Sequence, residues 1–549
     1  MTPRIRANDY RTLTPPALGS WTPKLTVSVV MPAYGNQEQL DLALAALAVQ
    51  TYPEELLEVI VIDNGSSPPL RLPEIRPSRA RLLVCDMPGR ANARNAGLAA
   101  ATGDVIHWMD SDVVAERDEV EAHMRWHHLA PYLVVTAALR FTTAVPPEPR
   151  KVAEAHGLDA IFEPAEPHVW IEDMVARTDG LTSSPRPFSV HIGGATSVGR
   201  RLFDRAGPMD VRLFLGQDTE MGYRLAQAGA VFIPDADARA YHLGPSMRMR
   251  AEGADVNKVS HALVSGGIPQ YTWLRREVGR QWRVPWMEVV IDARGACYDD
   301  VRASVDGVLA STLTDLAVIV EGPFDQLEPE RRAPLKDPLL DFALLAARYG
   351  EDGRVRLVPS AGELGAPFRL TLPAGWEPAQ ETLFQLLDLM RAEDLGRVHV
   401  LLDEDGDDLV SVRLDRAASV ARAELVVRPG EAVDDAIHEV AGVRWVDDET
   451  YAFRPVADTV APMTFRGAYR ARLRAEAEVE RLNKEVERLR GQVAKWRDES
   501  AGWRKNAVQF RREIGALRTE IGRIRRESRR NPRLKALARR MTRAFTSGE

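Results

Sequence analysis

Apolar and polar positions change period several times along the chain. "LTVSVVMPAY" is an apolar run closed by Pro32 and predicts a buried strand. "QEQLDLALAALAVQ" carries a helical period, and "LEVIVIDNGS" is a second buried strand that ends in a turn signal. "ARNAGLAAATG" fits a helix and "DVIHWMDSD" another strand. Alternating strands and helices predict an α/β domain with a largely parallel sheet. From Val284 the same order returns in "PWMEVVIDARGACYDDVRASVDGVLASTLTDLAVIVEG", at an offset of about 260 residues from Leu25–Gly65. Its polar signals do not return: Asp63-Asn64-Gly65-Ser66 becomes Glu321-Gly322-Pro323. This second α/β domain reads as a degenerate copy. Within it, "VHVLLDEDGDD" offers Asp403 and Asp405 as metal ligands, but its Asp-Gly step favours a hairpin turn.

The last region switches to steps of three and four. Val479, Leu482, Val486, Leu489 and Val493 open a heptad series that runs through Trp496, Trp503 and Phe510 to Ile524. Valine at the early a positions and leucine at the early d positions favour a parallel dimer. The large aromatics keep a trimer open, and a lone helix is the third reading. Beyond it, "RRESRRNPRLKALARRMTRAFTSGE" spaces Leu534, Leu537, Met541 and Phe545 among arginines. Such a tail suits an anionic membrane surface or plain solvation. The expected divisions are an extended lead (1–23), a first α/β domain (24–275), a second (284–465), a coiled-coil helix (470–530) and a basic tail (531–549).

Composition narrows the class. A chain of 549 residues exceeds one core, and 45% hydrophobic with 28% charged residues is ordinary for a globular protein. The net charge of -7 coexists with a basic tail, so the body is acidic and disfavours nucleic acid as a partner. Two cysteines, Cys85 and Cys297, provide neither a disulfide framework nor a cysteine metal site. No apolar run approaches a membrane span, and the first residues lack a signal-peptide core. The expected location is the cytoplasm, with the inner face of the membrane open to the tail.

Candidate chemistry gathers at strand ends. Ligands of such sheets bind beyond the carboxyl ends of the strands, where Asp63, Asp110 and Asp112 fall. Asp218 follows a glycine at the mouth of a helix, a position that suits a catalytic base or a cap. "VSVVMPAYGNQEQLDLALAAL", "LEVIVIDNGS", "ARNAGLAAATGDVIHWMDSD", "GGATSVGRRLFDRAGPMD" and "GQDTEMGYRLAQAG" occur in the order found in family 2 glycosyltransferases of the GT-A fold. The first domain resembles that family over about residues 24 to 245. Its later part is similar to bacterial polymer-making and galactosyl- or N-acetylgalactosaminyl-type transferases, and the layout is loosely similar to wall teichoic acid glycosyltransferases.

The resemblance implies a set of roles. Ala33 and Tyr34 line the nucleotide pocket, and Asp63 accepts a hydrogen bond from uracil. Arg94 and Asn95 touch the nucleotide or its diphosphate. Asp110 contacts the sugar and ribose. Asp112 and His242 hold Mn²⁺ or Mg²⁺, which bridges the donor phosphates. Gly193 and Gly194 let the backbone approach the donor sugar, and Trp170 is a candidate for stacking on the acceptor. Asp218 matches the general base of inverting members, with Glu220 in reserve. Relatives often carry Glu-Asp where this chain has Gln217-Asp218. The implied activity is metal-dependent transfer from a UDP-sugar to a glycan, lipid-linked or free, by a homo-oligomer. The rival readings are a non-catalytic nucleotide-sugar-binding scaffold and a nucleotidyltransferase. The missing glycine-rich phosphate loop argues against the latter.

Overall fold

Strand β1 (Val27–Ala33) lies between β2 (Leu57–Asp63) and β4 (Val105–Met109), parallel to both. The computed structural model describes residues 2–277, 279–328, 333–363, 365–405, 408–456 and 465–530, with 532, 533 and 536. Most of the expected tail, 531–549, therefore lies outside the described residues. The chain divides into two units, Met1–Thr459 and Val460–Glu549.

The β-branched runs of β1, β2 and β4 are buried because both sheet faces are covered. The short strand β3 (Ala80–Val84) adds to β2, a pairing that the hydrophobic pattern does not foretell. The remaining strands are β5 (Val113–Ala115), β6 (Leu133–Thr142), β7 (Ala165–Pro167), β8 (Ala195–Gly199) and β9 (Val231–Leu243). The sheet runs β3-β2-β1-β4-β8-β6-β9-β5, with β7 beside β6. Two departures from a simple parallel sheet matter. Strand β8 pairs antiparallel with β4, and β5 leaves the line of β4 to pair with β9 at the far side.

The second sheet contains β10 (Met287–Asp292), β11 (Leu316–Glu321), β12 (Val355–Val358), β13 (Phe368–Thr371), β15 (Arg397–Asp405), β16 (Asp408–Arg416) and β17 (Val443–Asp447), while β14 (Trp376–Pro378) pairs elsewhere. Its order, β12-β11-β10-β13-β16-β15-β17, matches β3-β2-β1-β4-β8-β6-β9 strand for strand. The pairing directions agree as well, three parallel, two antiparallel, then one parallel. Taking Val27 with Val105 and Met287 with Phe368 as reference pairs, Pro373-Ala374-Gly375 stands where the first sheet has Asp110-Ser111-Asp112. Asp403 and Asp405 belong to the antiparallel β15–β16 hairpin.

The N-terminal lead binds the two sheets together. Ile5 and Asn8 are buried, and the Asn8 side chain pairs with the backbone of Phe232. Arg422, on the helix Ala417–Val426, donates to the carbonyls of Ile5, Ala7, Gly229 and Ala230. A buried guanidinium needs several acceptors to offset its desolvation. These four come from the lead and the first sheet, while the helix belongs to the second.

In the other unit, Phe465–Arg530 is a single helix of 66 residues. Among the described residues no helix is long and apolar enough to cross a membrane.

Candidate active site

A cavity of about 640 Å³ opens over the carboxyl ends of β1 and β4. Its walls include Ala33, Tyr34, Arg94, Asp110, Asp112, Trp170, Gly193, Gly194, Asp218 and His242. The turn between β4 and β5 carries the two acids, held by a bond from Val113 N to Asp110 O of 3.1 Å. Strand β5 then carries Asp112 to β9, because Val113 is in register with His242. Leu243 N donates to Asp112 O at 2.8 Å. Residues far apart in sequence thereby face one another, with His242 Nε2 3.5 Å from Asp112 Oδ2.

His242 Nδ1 lies 2.9 Å from Gly244 O, which can only accept, so Nδ1 carries a proton and Nε2 is the nitrogen that faces Asp112. A carboxylate and a bare imidazole nitrogen at this separation can share one cation, with bonds of about 2.0–2.2 Å from each. Burial and the neighbouring Asp110 push the Asp112 carboxyl up, against the pull of His242. Burial also acts against Asp110, yet Arg94, Arg90 and His242 hold that carboxyl below its ordinary range.

Arg94 lies on the helix Arg90–Ala100 and is 2% exposed. Its guanidinium donates to Asp110 Oδ1 at 2.7 Å. Gly193 lies against it so closely that a Cβ there would stand 2.0 Å from Arg94 Nη2. The glycine therefore serves arginine packing as well as donor access.

Asp218 belongs to the helix Gln217–Gln227, which starts after Gly216 in the left-handed region at φ 78°. A Cβ on Gly216 would meet Ser260 Oγ at 2.7 Å, so glycine is required there twice over. Asp218 does not cap the helix. It sits inside the first turn, accepts from Thr219 N at 2.9 Å and lines the cavity. His191 Nδ1 donates to Asp218 O at 2.8 Å, and burial pushes this imidazole down to about 4. Glu220 lies outside the lining and is buried against Arg224, 2.9 Å away.

Two residues expected to contact the donor are not among those that line the cavity. Asp63 is buried below the cavity, where its oxygens accept from Ser66 N and Leu70 N at 2.9 and 3.0 Å. The carboxylate thereby shapes the loop after β2. Asn95 exchanges two bonds with Met209, through Nδ2 to O at 2.9 Å and from N to Oδ1 at 2.8 Å, and does not line the cavity either. Sequence reasoning missed Arg90, Arg248 and Arg250, which do line it. Their signal was the arginines of "PGRANAR" and "SMRMR", beside the motifs on either side.

Residues 28–190 match the family described as Glycosyl transferase family 2. The chondroitin synthase of Pasteurella multocida (strain Pm70) is 24% identical over 383 residues, covering 61% of this chain and 36% of that protein. The hyaluronan synthase of Pasteurella multocida is 24% identical over 374 residues, with the same shares of 61% and 36%. The chain spans about a third of the length of these curated relatives. Among solved structures, the mannosyltransferase PcManGT from Pyrobaculum calidifontis, in complex with GDP-Man and Mn2+, is 19% identical at a TM-score of 0.30, over 44% of this chain and 65% of that chain. The mixed first sheet, with acids at the turn after its fourth strand, is a GT-A-like α/β arrangement. Residues 28–190 of the chain thus carry a glycosyltransferase family 2 domain.

Proposed function

We propose that the chain transfers a sugar from a UDP-sugar to a hydroxyl of a polysaccharide or related glycopolymer, with inversion at the anomeric carbon. One observation carries the proposal: Asp110, Asp112, Asp218 and His242 line a single cavity. The relatives named as chondroitin and hyaluronan synthases support a glycan acceptor. The galactose, N-acetylgalactosamine or glucose type is the favoured donor.

Asp112 and His242 would hold Mn²⁺ or Mg²⁺, which when bound offsets charge on the departing diphosphate. Arg94 keeps Asp110 ionised and oriented toward the donor sugar. Tyr34, 74% exposed at the rim, offers a ring face to the nucleotide. Asp218 takes the proton of the acceptor hydroxyl as that oxygen attacks. His191 positions the Asp218 peptide through its carbonyl. The second sheet keeps the topology without the acids and is a repurposed copy of the first.

A screen of UDP-, GDP- and dTDP-sugars tests the activity. Slow hydrolysis or transfer from a UDP-sugar is expected with Mn²⁺ and should be abolished by EDTA. Binding without turnover in every metal would favour a scaffold, and neither binding nor turnover would end the proposal.

Gly193→Ala probes the donor side. The new methyl would drive Arg94 away from Asp110. Hydrogen bonds to charged groups contribute about 1.5–3 kcal/mol, so UDP should bind roughly 10- to 100-fold more weakly in calorimetry, with circular dichroism unchanged. Unchanged UDP affinity would show that the Arg94–Asp110 pair does not shape the donor site.

A further inference from the structure

Behind the active site, the interior of the first sheet contains a group of ligating side chains that the transfer reaction does not use. His107 is on β4, and Glu119 and His123 share one face of the helix Glu119–His127, four residues apart. All three are buried, and one ligand atom from each lies within 4.8 Å of the other two. None lines the donor cavity.

His107 Nε2 faces both oxygens of Glu119, at 3.0 and 3.2 Å. His123 Nε2 is 3.0 Å from Glu119 Oε1, without the alignment of a well-directed hydrogen bond. The other side of that ring is held: Nδ1 lies 2.8 Å from Ser197 Oγ, and the same hydroxyl lies 2.7 Å from His127 Nε2. When Nδ1–H donates to Ser197 and the hydroxyl donates to His127, Nε2 of His123 is a bare lone pair beside a carboxylate. That arrangement is repulsive unless a cation lies between them. Around bound metals, imidazole ligands are oriented in this way by a partner on their second nitrogen.

We propose that His107, Glu119 and His123 hold one structural zinc ion, which clamps β4 to the helix Glu119–His127. Two imidazoles and a carboxylate that can bind through both oxygens supply four donors, a set that suits zinc. In a tetrahedral site with bonds of about 2.0–2.1 Å, neighbouring donor atoms sit roughly 3.3 Å apart. The separations of 3.0 to 3.2 Å between each imidazole and Glu119 need only a small opening, and the three ligand atoms lie within 4.8 Å of one another. The ion would also balance the buried Glu119 charge. Burial opposes that charge. Strand β4 runs directly into Asp110 and Asp112, so the clamp would brace the acids without touching them.

Elemental analysis of full-length protein, purified without chelator or metal-affinity resin, tests this. About one zinc per folded chain is expected. Asp112→Asn should retain it, since the donor site is separate, whereas Glu119→Gln and His123→Gln should fall to background. Cobalt substitution of the wild-type protein should produce the strong visible absorption of a four-coordinate ion. Wild-type protein that is folded but holds less than about a tenth of a zinc per chain, as purified and after refolding with zinc, would overturn the proposal and leave a network of shared protons. Equal zinc in wild type and a folded His123→Gln would also overturn it, as an adventitious ion only. The wild-type measurement decides even where a variant fails to fold.

Discussion

Asp218→Asn should cut turnover by about 10² to 10⁴ while UDP affinity stays within a few-fold of wild type. The substitution is nearly isosteric, and the surroundings suggest that the helix will tolerate it. Asparagine Oδ1 can still accept from Thr219 N, which now bonds the carboxylate at 2.9 Å. The 2.8 Å bond from His191 Nδ1 ends on the Asp218 carbonyl and does not depend on the side chain. Only the ability to take a proton is removed. Asp112→Asn should behave differently, weakening metal-dependent donor binding together with turnover. Steady-state kinetics and UDP titration on both variants separate the two roles. Near-normal turnover in Asp218→Asn would reject the base assignment. Glu220 would be a poor replacement, because it is 2% exposed and Arg224 holds it 2.9 Å away.

Strands with dense β-branched runs were legible in the sequence, since burial on both faces leaves a continuous apolar signature. Strand β3 was not, because "ARLLV" is short and only partly buried. The motifs around Asp110 and Asp218 were legible as motifs, but their geometry was not. His242 meets Asp112 only because β5 crosses to β9, a pairing set by the whole sheet and not by local pattern. The Arg94–Asp110 pair likewise depends on packing between a helix and a distant turn, with Gly193 making room. Asp63 shows the converse difficulty. A carboxylate after a buried strand reads as a ligand contact, and the sequence does not show that its two oxygens also accept from backbone N–H groups of the following loop. The repeated topology of the second sheet shows through as apolar rhythm, which survives because the core demands it. The acids are under no such demand, and Pro373-Ala374-Gly375 fits the same turn.

Removing residues 475–549 should convert a dimer or trimer into a monomer while leaving donor hydrolysis per chain unchanged. The apolar stripe of the helix Phe465–Arg530 is exposed along its length, from Val479 at 56% through Trp503 at 74% to Ile524 at 51%. A lone helix could be supported instead by ion pairs between its own turns, each contributing about 0.3–0.5 kcal/mol. Such pairs occur between 472 and 490, as in Arg481–Glu478 and Arg488–Glu485, and again at Arg523 with Glu520 and Glu527. The stretch between them holds Trp496, Trp503 and Phe510, and among the described residues it carries fewer such pairs, with Gln509 donating to Glu513 at 3.0 Å. Burying a Val, Leu, Ile or Phe side chain contributes about 1.5–3 kcal/mol. A dozen such layers exceed an association cost of about 4–15 kcal/mol even if burial is half complete. Self-association by another copy of the same helix is therefore the expected outcome, and β-branched residues at the early a positions with leucine at the early d positions favour the parallel pairing. Light scattering should report two or three chain masses for the full-length protein and one for the truncated form. Equal masses for the two would contradict the coil. With assembly confirmed, several active sites would share one polymeric acceptor, and its local concentration would rise without any new contact at the site itself.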